Sequence, residues 1–381
     1  MLYTKLSVFY FFYFALLGVM APYLGLYLES KGFSLLEIAQ LSSVLMVTKV
    51  LAPNLWGAIA DHYQNRLALV RVGAMMTLLC YLGFFFAEVF WHYALVIVLF
   101  SFFWNAVLPQ FEVITLFNLA DLRDRYSRIR LWGSVGFIVS VALLGAVFEQ
   151  FGIAFFPWVL LIIMIAIWMS SQFHLTEPQS NVVNPIQGLS FLKQLCRRDV
   201  LLFFAVCLLL QMSHGAYYTY FSIFLESIGY DKTQIGLLWG LGVLAEVLLF
   251  WVMHLWFSRS SIKKIMMLAL LLTGIRWGLT AEYSSVVWVL IGAQCLHALS
   301  FGAMHAASIK FVHLAFDEAS QGKAQALYSS VGFGVGGAAG AYLSGLVVTH
   351  IDYEFAFLLS AAMAFCAMFL TAFLRSSVSR Q

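Results

Sequence analysis

Charge is what this sequence has least of: Asp, Glu, Lys and Arg make up 10% of its 381 residues, against about a quarter in soluble globular chains. That shortage excludes a soluble globular protein. The 21 Lys and Arg residues are spread over separate loops and leave a formal charge of only +3, so no basic patch marks a nucleic-acid partner. Five cysteines, Cys80, Cys196, Cys207, Cys295 and Cys366, include no close pair that would make a CxxC redox or zinc motif and read as packing residues. No GxxxxGK[ST] segment is present, which argues against direct drive by ATP. No His, Asp or Cys constellation gathers at a span end, as a membrane-embedded lipid enzyme would need. A non-transporting sensor would need an output domain, and no stretch is left over for a sizeable soluble domain. No cofactor and no metal site is expected.

Hydrophobic residues are abundant, at 62%. Apolar runs of roughly 20 residues, long enough to cross a bilayer, recur at 4–28, 34–60, 67–87, 92–119, 128–149, 153–173, 200–226, 233–257, 264–282, 285–314, 323–349 and 352–374. An all-α membrane protein of twelve transmembrane helices in two pseudo-symmetric six-helix halves is therefore expected, with halves at 1–175 and 199–381 and a cytoplasmic linker at 176–198. The first run is too long for a signal h-region and lacks a small-residue cleavage site, so it reads as a retained span. Arg and Lys fall in alternate loops, at Arg66 and Arg71, Arg123 to Arg130, Lys193 to Arg198, Arg259 to Lys264, Lys323, and Arg375 and Arg380. By the enrichment of basic residues on the cytoplasmic side, both termini are placed in the cytoplasm.

Two loops nearly spell each other, Tyr27-Leu-Glu-Ser-Lys-Gly-Phe33 and Phe224-Leu-Glu-Ser-Ile-Gly-Tyr230, at an offset of 226 − 29 = 197 residues. The likeness runs on from Glu37-Ile-Ala39 to Gln234-Ile-Gly236. Each copy lies between the first and second spans of its half, so the chain reads as a duplication. Two similar membrane halves usually make a transporter whose site is near the bilayer midplane. Lys49 lies about 14 residues, or roughly 21 Å, into the second span. Glu246 holds the matching place in the eighth, since 246 − 49 = 197. An ionisable group there costs roughly 2.5–3.5 kcal/mol on insertion scales and calls for a partner, a water-filled cavity or a function. Lys49 could hold a substrate carboxylate and Glu246 could titrate; alternatively the two form a structural pair, or the lysine snorkels.

The twelve spans, the basic central loop and the segment Gly57-Ala-Ile-Ala-Asp61-His-Tyr-Gln-Asn-Arg66 together resemble the major facilitator superfamily. Gly57, Asp61 and Arg66 match its loop signature; His62 and Gln64 depart from it. Over nearly the whole chain the sequence is similar to the phenylpropionate permease branch, through Arg130-Leu-Trp-Gly-Ser-Val-Gly-Phe137, His214-Gly-Ala-Tyr-Tyr218, the run from Leu237 to Glu246, Gly274-Ile-Arg-Trp-Gly278 and Gln294-Cys-Leu-His297. The resemblance implies a bacterial inner-membrane, proton-coupled uptake system for a small organic solute, 3-phenylpropionate being the substrate of the type member.

The resemblance also implies which spans line the cavity. On that layout Glu112, three residues past Pro109 in the fourth span, could bind a proton or pair with Lys49, or else bond Asn105 or Gln110 for packing. His214 and His297, near the middles of the seventh and tenth spans, could relay protons or be satisfied core imidazoles. Tyr13, Trp104, Tyr217 and Tyr218, with Tyr10, Phe14 and Tyr220, would form an aromatic wall. Arg276, in a span that is usually peripheral, would pair with Glu246 or snorkel beside Trp277. Asp61 and Arg130 would hold the cytoplasmic gate, and Gly332, Gly336 and Gly340 would let helix backbones approach. The expected protein is a monomeric secondary transporter, not an enzyme, whose partners are a small aromatic carboxylate, protons and the lipid bilayer. The rival substrate is a neutral polar solute such as a nucleoside or sugar.

Overall fold

The computed structural model describes residues 2–119, 125–177 and 190–375, with the side chains at 254 and 256–259 left out. The expected linker at 176–198 is therefore described only at its two ends, and Arg123 and Arg380 lie outside the described residues. Among the described residues, twelve helices are long and apolar enough to cross a membrane. They are α1 (Leu2–Ser30), α2 (Leu35–Tyr63), α3 (Arg66–Phe86), α4 (Phe90–Leu119), α5 (Tyr126–Phe151), α6 (Ile153–Ser171), α7 (Arg198–Ser227), α8 (Lys232–Arg259), α9 (Ile262–Tyr283), α10 (Val287–Ala315), α11 (Glu318–His350) and α12 (Tyr353–Ala372). In a bilayer only structures that satisfy their own backbone can span, and helices do so within one segment.

The repeated loop has a physical reason. After α1, the amide of Gly32 bonds the carbonyl of Glu29 at 2.8 Å and that of Phe33 bonds Leu28 at 3.3 Å. After α7, Gly229 bonds Glu226 at 3.0 Å and Tyr230 bonds Leu225 at 3.0 Å. Both are Schellman caps, which need a left-handed residue just past the helix. Gly32 and Gly229 supply it at φ 86° and 97°. The next helix then begins in the same way in both halves. The Ser34 side chain accepts from the Glu37 amide while Glu37 Oε2 accepts from the Ser34 amide at 2.9 Å. Asp231 and Gln234 exchange the equivalent bonds at 2.8 and 3.0 Å. The 197-residue repeat is thus a stop signal followed by a capping box.

The chain divides into two compact units, Met1–Asn181 with Phe221–Gly240, and Val182–Tyr220 with Leu241–Gln381. In the first, α1 packs on α5 along small residues, and α4 packs against α2 and α3. A Cβ on Gly136 would lie 2.1 Å from the Phe11 carbonyl oxygen, and one on Gly18 2.2 Å from Ser140 Oγ. The start of α8 belongs to this unit. Tyr23 Oη donates to the Val141 carbonyl at 2.8 Å, and Lys232 Nζ reaches Glu226 at 2.5 Å and Glu149 at 4.0 Å. In the second unit α12 packs against α9 and α7, and α7 against α11. There Gly336 faces the Leu208 carbonyl and Gly340 faces Met212, where a Cβ would approach backbone oxygens to 2.9 and 2.3 Å. Gly332 sits more loosely, at 3.4 Å from Gln211 Cγ.

Three helices of the second unit are irregular in mid-span. The α7 helix breaks at His214 between Arg198–Ser213 and Gly215–Ser227. Both α10 and α11 carry π-helical stretches, at Ala298–Ala303 and Ser330–Gly336. Such widened turns are frequent at functional sites.

Gly340→Leu should destabilise the protein by at least about 1–3 kcal/mol, the usual range for overpacking. Gly278→Ala, where a Cβ meets nothing within 4 Å, should leave the detergent melting temperature unchanged. Equal melting of the two variants would refute close packing of α7 on α11.

Candidate functional site

In the first unit, α2 and α4 are tied by a polar chain in which Thr48 Oγ1 bonds Ser101 Oγ at 2.9 Å and accepts from Asn105 Nδ2 at 2.9 Å. That chain fixes the rotation of α2, and the next residue, Lys49, lies about 100° further round the helix. Lys49 is half-buried and has no hydrogen bond or ion pair with any described residue. A cation in a span with no protein counter-charge is a binding-site hypothesis by default.

Tyr13 and Trp104 come together. The Tyr13 hydroxyl donates to the Trp104 carbonyl at 3.1 Å, and the rings lie 5.4 Å apart. Both are buried, and the Trp104 indole N–H has no acceptor, although buried indoles normally find one. Behind them Phe9 stacks on Phe111 at 3.7 Å, and Tyr10 bonds Thr115.

Glu112 is placed differently from the expected pairing with Lys49. Its carboxylate lies 3.8 Å from Arg130 Nε and accepts from Tyr126 Oη at 3.4 Å, because Tyr126 and Arg130, four residues apart at the start of α5, share one helix face. The alternative partners are engaged elsewhere: Asn105 bonds Thr48, and Gln110 accepts from Arg66. Arg130 lies 3.9 Å over the Phe14 ring. Asp61 pairs with Arg66 at 2.6 Å. Glu177, which sequence reasoning overlooked, accepts the Arg66 and Leu67 amides at 2.5 and 2.9 Å and so caps the positive N-terminus of α3.

The second unit gathers its polar groups around Arg276, which is fully buried and therefore does not snorkel. Its guanidinium donates to His297 Nδ1 at 2.9 Å, Gln294 Oε1 at 3.2 Å and Ser300 Oγ at 3.3 Å. It also lies 4.4 and 4.3 Å over the rings of Tyr217 and Trp277. Hydrogen bonds to a charged group contribute about 1.5–3 kcal/mol each and a desolvated cation–π contact about 2. Together these are of the size needed to offset the several kcal/mol lost on burying an ion. Tyr217 donates to the same Gln294 oxygen at 3.0 Å, leaving the buried Gln294 Nε2 without an acceptor.

Glu246 Oε2 lies 3.9 Å from His297 Nε2, so the imidazole stands between Arg276 and Glu246. Gly302 makes room for it: a Cβ there would press on Glu246 Cγ at 3.0 Å. His214 bonds the Leu210 carbonyl through Nδ1 at 2.9 Å, while its Nε2 is buried with no partner. The Tyr218 ring lies 5.9 Å from the His214 ring. Further along α10, Phe301 stacks between His297 and His305, and His305 bonds Tyr328 at 3.1 Å. Among the described residues no three His, Cys, Asp or Glu side chains come together as a metal site would need. Sequence reasoning quoted Gln294 only as part of the family resemblance and did not single out Ser300, whose one signal was its position three residues past His297.

The chain matches the model of the MFS_1 like family over residues 3–359. It is 28% identical over 377 residues, 96% of each chain, to an Escherichia coli (strain K12) protein named "Probable 3-phenylpropionic acid transporter". It is 24% identical to the maltose permease of Geobacillus stearothermophilus over 87% of this chain and 84% of that one. Among solved structures, the nucleoside transporter NupG superposes with a TM-score of 0.86 at 19% identity, covering 98% of each chain, which speaks for the fold. The chain belongs to the MFS_1 like family and is a multi-pass membrane transporter of the major facilitator type.

Proposed function

We propose that the protein takes up a small aromatic carboxylate of the 3-phenylpropionate kind together with protons, by alternating access, as a monomer in the bacterial inner membrane with both termini cytoplasmic. The halves at 1–175 and 199–381 move as the two working parts, joined by the linker at 176–198. Lys49 anchors the anion, and the observation that carries this reading is its lack of a counter-charge among the described residues. The name of the Escherichia coli relative supports the same substrate class. Tyr13 and Trp104, buried side by side, are the aromatic surface for the flat body of the ligand. Tyr217 and Tyr218 on α7 are the aromatic binding groups of the second unit. Glu246 carries the proton, because it is a carboxyl inside a span with the His297 imidazole 3.9 Å away. The two histidines His214 and His297 assist it. Glu112 with Arg130, and Asp61 with Arg66, act as gating pairs.

A second reading is proton-coupled uptake of a neutral polar solute such as a sugar or nucleoside. The maltose permease relative and the polar set of Gln294, His297 and Tyr217 favour it.

Uptake into proteoliposomes separates the two. Lys49→Ala should weaken transport of aromatic acids by roughly 30-fold or more, the equivalent of losing a charge partner worth about 2 kcal/mol or more. Glu246→Gln should abolish accumulation driven by an inward proton gradient while preserving substrate exchange. Sugar or nucleoside uptake that is indifferent to Lys49→Ala, with no uptake of any organic acid, would replace the first reading by the second.

A further inference from the structure

Arginine has no hydrogen-bond acceptor and keeps its charge in proteins. The 2.9 Å contact from Arg276 Nη1 therefore fixes His297 Nδ1 as the accepting nitrogen. The proton of the neutral ring must then sit on Nε2, the atom that faces Glu246 at 3.9 Å. A second proton, on Nδ1, would break the bond and set an imidazolium against a guanidinium that has nowhere to go. Arg276 is fully buried, clamped over Tyr217 and Trp277 and bonded to Gln294 and Ser300. We propose that Arg276 is a positioning residue that locks His297 as a neutral Nε2–H donor toward Glu246, so that His297 carries no proton of its own during transport. This rests on the reading of Glu246 as the proton carrier and narrows the role given above to His297.

Among the described residues, the titratable and charged groups facing this pair include His214, Tyr217 and Tyr218 on α7, Glu246 on α8 and Arg276 on α9, with the Phe301 ring stacked 5.3 Å from His297 on α10 itself. His214 is locked the other way. A carbonyl can only accept, so the 2.9 Å contact with Leu210 puts the proton on His214 Nδ1. At 3.9 Å the His297 to Glu246 contact is longer than a hydrogen bond. An approach of roughly 1 Å would make it one. His297 thereby acts as a fixed donor that Glu246 gains or loses as it releases or binds its proton.

The test uses the full-length protein in nanodiscs with 15N-labelled histidine rings, the His297 signals being identified by their loss in His297→Gln. The expected spectrum is a single neutral form, bare at Nδ1 and protonated at Nε2, unchanged from about pH 8 to about pH 5, although a free imidazole titrates near pH 6.5. In Arg276→Gln the ring should lose its fixed tautomer and populate both neutral forms. A proton on Nδ1 in the unmodified protein, or a titration there that Arg276→Gln does not alter, overturns the proposal. If Arg276→Gln does not fold, the tautomer and titration of the unmodified protein decide. Proton-driven uptake by Glu246→Gln is measured in parallel. Persistent accumulation with a locked His297 removes the proton role of Glu246 and keeps the lock, whereas loss of accumulation with a titrating His297 does the reverse.

Discussion

Burying a guanidinium without another formal charge against it is the constraint from which the second unit is built. Arg276 cannot shed its proton and has none of its surface exposed. Aromatic faces and neutral acceptors must therefore replace water, and each neighbour is thereby assigned a task. Tyr217 and Trp277 offer ring faces, and Gln294, Ser300 and His297 offer lone pairs. Every acceptor so used is turned away from other work: Gln294 presents its amide nitrogen elsewhere, and His297 presents Nε2 to Glu246. The order of this cluster thus follows from one unshielded charge in a medium that penalises it.

The first unit treats its charges differently. Glu112 with Arg130 and Asp61 with Arg66 are partly exposed pairs, which contribute modestly and separate readily. Pairs of that kind suit contacts that must break and reform. Lys49 has no such pair, although its neighbour Thr48 is bonded tightly into α4. The backbone there is held while the cation has no counter-charge among the described residues, and for the proposed anion such an arrangement reduces the ordering lost on binding.

Much of this was legible beforehand because it rests on local patterns. The twelve spans follow from the length and apolarity of their runs. The 197-residue repeat was visible as spelling, and its meaning as paired Schellman caps at Gly32 and Gly229 and capping boxes at Ser34 and Asp231 follows from short-range bonding. Contacts between helices far apart in sequence were not legible. Arg276 and His297 are 21 residues apart on different helices, and nothing in the periodicity of either says which faces meet. Glu112 finds Arg130 rather than Lys49 for the same reason. The break at His214 and the π-helical turns at Ala298–Ala303 and Ser330–Gly336 contain no proline to announce them.

The central claim is that Lys49 is the residue that receives the anion, and its amine can be read directly. The extent of Lys49 acylation by a small amine-reactive reagent, measured by peptide mass spectrometry in the detergent-solubilised protein, should fall when 3-phenylpropionate is added. It should not fall with 3-phenylpropanol, which has the same shape and no charge. Equal labelling with and without the acid, under conditions where the acid is shown to bind, would contradict the account.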